Sequence, residues 1–439
     1  MKIKVGEEKV VAIGPNFEEV AWGPHQFPNL HFNNEGKVVI SFHTQKDQWD
    51  ELTDSAIAWY STTDNGETWQ KESESIKNNC GVLLPNGDRL LTYTRDPAII
   101  NLDEVEMPVR PINGPPSLGF HKKSTSKSVM PFPCGYFHAC DHRRLSTYLI
   151  DDLPDGMFDH THEWPLIRTK AGESEGKLEW AKLHWDNMGI VFEWFPNAKK
   201  AVGLLPQVLG KIKVGPDNRL YAVTYWNGIN PKNGGYSPYD NAFLLVSDDF
   251  GYNWYLHAHI PFIPDNEDYE FAYLAGGFDE PDIEFTDDGS IIMLLRTNSF
   301  EKGDAAWSPS YITRSTDGGT TWSKPVRYDD FGVLPRMCKL GSTIVSIYGR
   351  PGIYVRATND ETGLNWDEKV EIMTPGNRSY LMNNPTETPN FHQWVGSCCN
   401  CDILALDDTH AMIAYSDFYH LCDDGVRRKA IKTRVITLE

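Results

Sequence analysis

Polar and aromatic residues recur at two matching points of a repeated hairpin in this 439-residue chain. At the start of the first strand stand His25, Gln26, Asn79, Gln207, Asp279, Glu280, Arg336 and Asn400. At the end of the second stand His43, Arg95, Tyr225, Trp226, Arg296, Asn298, Tyr348, Arg350 and Asp417. Arginine offers a planar fork of donors suited to carboxylates, carboxylates move protons, and aromatic faces stack on sugar rings. Read singly, each arginine is an ion-pair partner for a neighbouring element. Several at equivalent points make a rim that can bind anions or sugars.

Two cysteine-rich stretches suggest a different chemistry. Cys398-Cys399-Asn400-Cys401 with His392, and Cys134 with His138 and Cys140, gather zinc-type ligands, but neither has a standard zinc spacing. Reduced thiols packed at a strand start fit better, and eight cysteines in so long a chain do not form a disulfide scaffold. There is no phosphate-binding GxxxxGK[ST] loop, no dinucleotide fingerprint and no G-x-S-x-G elbow. Asp287-Asp-Gly289 is a hairpin turn without calcium-ligand spacing. No cofactor or metal is expected.

The elements that must position the rim are strands. Six segments read as apolar strand, polar turn, apolar strand: Asn29–His43, Gly81–Arg95, Val208–Trp226, Asp282–Arg296, Met337–Arg350 and Asp402–Asp417. A second pattern punctuates them. Ser315-Thr-Asp317-Gly-Gly319-Thr-Thr321-Trp322 returns as Thr62-Thr-Asp64-Asn-Gly66-Glu-Thr68-Trp69 and Ser247-Asp-Asp249-Phe-Gly251-Tyr-Asn253-Trp254. A looser copy runs from Thr358 through Asp360 and Gly363 to Trp366. The Asp and the leading hydroxyl can accept hydrogen bonds from the turn's own N–H groups, the Gly can take a positive φ, and the Trp starts the next strand with a ring to bury. This lock closes the outer hairpin of a four-stranded antiparallel unit, and the second and sixth units lack it.

Six such units arranged radially predict an all-β, six-bladed β-propeller in a single domain over residues 1–439. The sixth unit has room for a third strand at Lys429–Leu438, and Glu8–Ile13 supplies its fourth and closes the ring. Residues from about 103 to 200, rich in Pro, His, Gly and aromatics, form an excursion between units two and three. Part of it is blade strand, and the rest is long loop over one face.

Composition narrows the partners. A formal net charge of −20 argues against nucleic acid and anionic membranes, and the cluster Lys122, Lys123, Lys127 reads as a solvated loop. The N-terminus has no apolar leader and no run of 18 apolar residues follows, which predicts a cytoplasmic chain with no membrane span. The 14 Trp and 19 Tyr suit all-β packing first and sugar stacking second.

The lock motifs are similar to Asp boxes, and the chain resembles the sialidase (neuraminidase) superfamily of six-bladed propellers over nearly its whole length. That family implies an arginine triad for the substrate carboxylate, a Tyr nucleophile with a neighbouring Glu, and an Asp acid/base. The resemblance places the Asp at Asp54, with Asp50 as the alternate, the Glu at Glu280, the second arginine at Arg296, and the third at Arg350 or Arg356. It also marks two losses. Gln26-Phe27-Pro28 stands where the first arginine belongs, and Cys398-Cys399-Asn400-Cys401 stands where the Tyr belongs. Glutamine cannot replace a bidentate clamp, and without the Tyr the retaining mechanism has no attacking group.

What survives is a carboxylate pair, Asp54 and Glu280, from opposite sides of the ring, as an inverting glycosidase needs. The expectation is a sialidase-like glycoside hydrolase for a non-standard, possibly acidic, sugar. Arg296, Arg350, Arg95, Arg336, Gln26, His25, Gln207, Tyr348 and Trp226 would contact that carbohydrate. Two alternatives stand beside it. One is an acidic-sugar lyase with a base among His25, His43, His138 and His392 and Tyr348 or Tyr380 as acid. The other is a non-catalytic carbohydrate-binding propeller.

Overall fold

Where a hydroxyl, an Asp, a Gly and a Trp follow at the lock spacing, the chain turns back on itself. In a computed structural model, which describes residues 2–16, 24–44, 57–93, 98–101, 146–149, 162–185, 188–194, 200–203, 210–226, 229–231, 240–263, 275–299, 309–349, 352–373 and 400–439, all four turns form. Asp317 accepts the Thr321 N–H at 2.9 Å and its hydroxyl at 2.6 Å, and Ser315 accepts the Gly319 N–H at 2.9 Å. Asp64 and Asp249 repeat this with Thr68 and Asn253. The indoles of Trp254, Trp322 and Trp366 close the turns by donating to the carbonyls of Gly251, Gly319 and Gly363. The hydrogen bonds inside these turns also hold the Asp64 and Asp317 carboxyls down to about 2.

The strands between the locks pair into four-stranded antiparallel units. Unit one is Gln26–Phe32, Val38–His43, Ile57–Thr62 and Gln70–Glu72, and unit two is Val82–Leu83, Arg89–Thr92, Glu163–Thr169 and Lys177–His184. Unit three is Lys213–Val214, Leu220–Trp226, Asn241–Ser247 and Asn253–Ile260, and unit four is Ala275–Phe285, Ile291–Ser299, Ser310–Ser315 and Val326–Asp329. Unit five is Val333–Leu340, Thr343–Gly349, Ile353–Thr358 and Val370–Met373. Unit six is Cys401–Ala405, His410–Leu421 and Arg427–Leu438, completed by Lys9–Asn16 from the other end of the chain; Ile3–Val5 also pairs with its last strand. Part of the long excursion falls inside unit two, whose third and fourth strands are Glu163–Thr169 and Lys177–His184. Met188–Trp194 and Lys200–Gly203 follow it and pair in small sheets of their own, the first with Ser146–Leu149 and Ile229–Pro231 and the second with Ala98–Asn101.

Apolar cores lie between successive units. Val39 and Trp59 of unit one meet Leu91 and Ile167 of unit two. Val223 and Leu244 of unit three meet Ile283 and Met293 of unit four. Further cores join four to five, five to six, and six to one. Strands covered on both faces, such as Thr343–Gly349, are buried at every residue and so read as unbroken apolar runs. Units two and three join differently. Their outer strands pair in parallel, Lys182 beside Asn253, into one eight-stranded sheet.

Buried Arg168 stands in for the lock that unit two lacks. It binds Glu179 at 2.7 Å, Asp88 at 3.3 Å and the Phe250 carbonyl at 2.9 Å, and lies 4.0 Å from the Tyr252 ring centroid. Carboxylates tie neighbouring inner strands in the same way at two places. Asp282 accepts the Met337 N–H and Asp402 accepts the Leu30 N–H, each at 2.6 Å. No helix among the described residues is long and apolar enough to cross a membrane.

Candidate functional site

The inner strands of units one, four and five share one irregularity. Their registers run Gln26↔His43 then Asn29↔Ser41, Asp279↔Arg296 then Asp282↔Leu294, and Val333↔Gly349 then Arg336↔Ile347. Each inner strand thus carries one extra residue, a β-bulge. The bulge is built from an X–Pro pair each time: Phe27-Pro28, Glu280-Pro281 and Leu334-Pro335. Proline has no N–H to leave unpaired there. The residue before it sits at φ 57°, 43° and 49°, a conformation that costs a side-chain-bearing residue about 1–3 kcal/mol. Three repeats of the same strain mark one end of the inner strands as built for something besides packing.

At unit four the bulge gathers charge. Glu280 Oε1 accepts from Arg296 Nη1 at 2.7 Å, and its Oε2 accepts the Leu334 N–H, from the unit-five bulge, at 2.8 Å. Burial works against the Arg296 charge, but Glu280 and Asp279 outweigh it and raise the guanidinium's pKa. Asp279, opposite Arg296 in the ladder, is 3% exposed. Its Oδ1 is buried with no hydrogen-bond partner among the described residues, and the Asp240 charge acts on it. Burial first, then Asp240, pushes the Asp279 carboxyl well above the usual range, against the pull of Arg296.

Asp240 is placed by backbone. Its carbonyl accepts the Phe278 N–H at 2.8 Å, and a Cβ on Gly277 (φ 122°) would come within 2.2 Å of that oxygen. Tyr225, from unit three, completes the group. Burial, Asp279, Glu280 and Asp240 all raise its phenol, so it stays protonated at neutral pH.

At unit one the same bulge gathers neutral groups around a lysine. Gln26 is fully buried, donates to Asn400 Oδ1 at 3.0 Å and accepts from Lys429 Nζ at 2.9 Å; that ammonium lies 4.7 Å from the Phe418 ring centroid. Burial, then Lys429, lowers the neighbouring His25 to about 4, and burial lowers His43. Both imidazoles are neutral at pH 7.

The remaining candidates scatter. Buried Arg336 donates to the Pro335 carbonyl at 3.2 Å and neighbours Asp282. Tyr348 lies in the aromatic core between units four and five, its hydroxyl 2.6 Å from Asp329. Arg356 is pinned on the carbonyls of Tyr328, Trp366 and Asp367, at the lock of unit five. Asp417 pairs with Lys432 at 2.7 Å. Trp226 and Asn298 end the second strands of units three and four. Asp54, Asp50, Arg95, Gln207, Arg350, His138, His392, Tyr380, Cys134, Cys140, Cys398 and Cys399 lie outside the described residues. Among the described residues, no three His, Cys, Asp or Glu are placed to hold a metal ion, and Cys401 is a buried thiol 3.6 Å from the Leu334 carbonyl.

The structure therefore brings Glu280 and Arg296 together and adds Asp279, Asp240 and Tyr225. Asp240 had no signal at the points where first strands start and second strands end. It precedes a third strand and reaches the group through a contact between units.

No family model and no curated protein matches the chain. Solved structures do. A protein of unknown function from Dyadobacter fermentans is similar over 100% of this chain and 99% of its own, at 16% identity and a TM-score of 0.58. The NanB sialidase from Streptococcus pneumoniae is similar over 97% of this chain and 70% of its own, at 12% identity and a TM-score of 0.50. An α-L-arabinanase from Penicillium chrysogenum, solved with arabinobiose, superposes over 98% of both chains at 8% identity and a TM-score of 0.47. At such identities the likeness to the first two is one of fold: all-β, propeller-like and of the sialidase type.

Proposed function

We propose that the chain is a six-bladed propeller with Asp-box turns, and that it hydrolyses a glycoside of an acidic or otherwise non-sialic sugar. Cores between successive units and a last sheet shared by both chain ends support the closed ring. The observation that carries the activity is the unit-four group, in which Glu280 and Arg296 are locked together beside the buried Asp279. An inverting glycosidase needs one carboxyl to protonate the leaving oxygen and one carboxylate across the sugar to activate water. Unit four supplies the first side and Asp54 the second. With Gln26 bonded to Asn400 and the Lys429 ammonium where a sialidase-type arginine would stand, the pocket lacks one bidentate clamp for the sialic acid carboxylate.

A panel of aryl glycosides and acidic oligosaccharides, run with Glu280→Gln, tests the reading. Release of a sugar other than sialic acid, lowered about 10²–10⁴-fold in Glu280→Gln, is the expected result. Sialoside release by the wild type would refute the reading of the two losses. A silent panel with sugars still bound on a glycan array would make this a binding propeller.

One observation favours a second reading: His25 and His43 are held neutral by burial, as a base for a lyase must be. Unsaturated products in the same panel would reveal it.

A further inference from the structure

Oppositely charged side chains meet among the inner strands of units three to six, and not all of them are paired. Lys213 of unit three binds Glu284 of unit four at 2.8 Å and donates to the Met337 carbonyl of unit five at 2.7 Å. Lys211, two residues earlier, binds Asp402 of unit six at 2.7 Å and donates to the Ile403 carbonyl at 2.7 Å. Two charges are left over. Asp282 spends one oxygen on the Met337 N–H, and its Oδ1 is buried with no hydrogen-bond partner among the described residues. Arg336, 6% exposed, makes one hydrogen bond among them, to the carbonyl of its own neighbour Pro335 at 3.2 Å, and no ion pair. Burying a guanidinium in this way is costly unless something meets its donors.

Both left-over groups border Gly210. A Cβ built there would lie 3.5 Å from Asp282 Oδ1 and 3.7 Å from Arg336 Nη1, and a φ of 100° reserves the position for glycine. An unspent guanidinium fork and an unspent carboxylate oxygen therefore flank one space that no side chain of Gly210 fills. That space adjoins the candidate site. Asp282 stands two residues past Glu280, and Arg336 two residues past Leu334, whose N–H Glu280 holds, so each lies about 7 Å of strand beyond that bond. The fork of an arginine binds a carboxylate through two parallel hydrogen bonds, and a carboxylate oxygen accepts from a hydroxyl. A sugar acid offers both groups on adjacent carbons.

We propose that Arg336 holds the carboxylate of a uronic-acid substrate in this space, with Asp282 Oδ1 accepting a hydroxyl of the same sugar. This rests on the glycosidase reading and names its substrate class, a uronoside. The cation comes from unit five rather than from the place that Gln26 occupies in unit one. Lysine at position 336 would keep the charge but lose the fork.

Glucuronate and galacturonate, titrated calorimetrically against the whole chain with glucose and galactose as neutral controls, test the carboxylate contact without turnover. At least one uronate should bind about tenfold or more tightly than its neutral control, and Arg336→Lys should weaken that uronate about 10–100-fold while leaving the control unchanged. Arg336→Lys keeps the buried cation, and circular dichroism confirms its fold. Equal binding of acid and neutral sugar, equal uronate binding by wild type and variant, or no uronate binding by the wild type overturns the proposal.

Turnover separates the contact from the reading it rests on. Aryl uronosides should be cleaved with KM raised about 10–100-fold in Arg336→Lys, and neutral aryl glycosides should show no such change. Neutral glycosides cleaved while uronosides are refused overturns the uronoside class and leaves the glycosidase reading intact. No turnover of either, with uronate bound by the wild type and weakened in Arg336→Lys, overturns the glycosidase reading and supports the carboxylate contact.

Discussion

Units one and four carry the same bulge and fill it with opposite chemistry. At unit one an apolar Phe27 follows Gln26, and the buried polar groups are two amides and an ammonium. At unit four Glu280 follows Asp279, and the groups gathered are three carboxyls, of which Asp279 is buried, with a guanidinium and a phenol. The backbone differs little: φ is 57° at Phe27 and 43° at Glu280, each before a proline and each one residue out of register. The repeat thus fixes an address on the strand, and the residue types at that address decide whether it is scaffold or reaction centre.

The largest effect should come from removing the cation at the charged address. Arg296→Met leaves Glu280 and the buried Asp279 without their counter-charge, and should cost about 3–5 kcal/mol in denaturant unfolding. Gln26→Leu removes only amide bonds and should cost about 1–3 kcal/mol. Equal costs would break the comparison.

Next in size is Gly277→Ala, whose Cβ meets the Asp240 backbone at 2.2–2.8 Å and should cost about 1–3 kcal/mol. Gly14→Ala, at unit one, meets only the His25 ring, at 2.7 Å, and should cost less because a side chain can move aside.

The smallest effect is a difference of sign with pH. His25 and His31 have folded pKa values near 4 against 6.5 in free chains, both through burial first and a nearby lysine second. Their contribution is full above about pH 6.5 and is lost as pH falls toward 4. Asp279 has a raised pKa, so its contribution is full below about 3.8 and is lost as pH rises toward that raised value. Urea midpoints from about pH 4 to about pH 8 should therefore flatten on the acid side in His25→Gln and on the alkaline side in Asp279→Asn. The same slope change in both variants would erase the distinction.

Much of the fold was legible because turns obey local rules. Asp287-Asp-Gly289 and the locks around Asp64, Asp249, Asp317 and Asp360 each announced a hairpin through residues that satisfy their own backbone. The sharing of unit six between Lys9–Asn16 and Arg427–Leu438 followed from two apolar runs left without partners. Unit two was less legible. Glu163–Thr169 contains Pro165, which masked a strand, and Arg168 does the work of a lock through residues 80 and 82 positions away.

At the site, Glu280 and Arg296 came from the resemblance, and they form an ion pair, although in the ladder it is Asp279 that stands opposite Arg296 and Glu280 sits on the bulge. The bulge was half visible, as proline after Phe27 and Glu280, but the positive φ before each proline has no sequence signal. Asp240 depends on a contact between units that no local pattern encodes.

The sheet that holds both ends of the chain has a consequence for how the molecule is made. Lys2 and Glu439 exchange backbone hydrogen bonds at 3.2 and 2.8 Å, and Ile3 lies opposite Leu438. During synthesis Lys9–Asn16 must wait for Arg427–Leu438 to emerge, so its edge stays open while the strands between them fold. Contacts spanning that much chain make the final step slow. Joining the two ends with a short linker and reopening the chain at the lock turn around Asp317 would turn that last pairing into a local hairpin. Such a permutant should reach the same native state sooner.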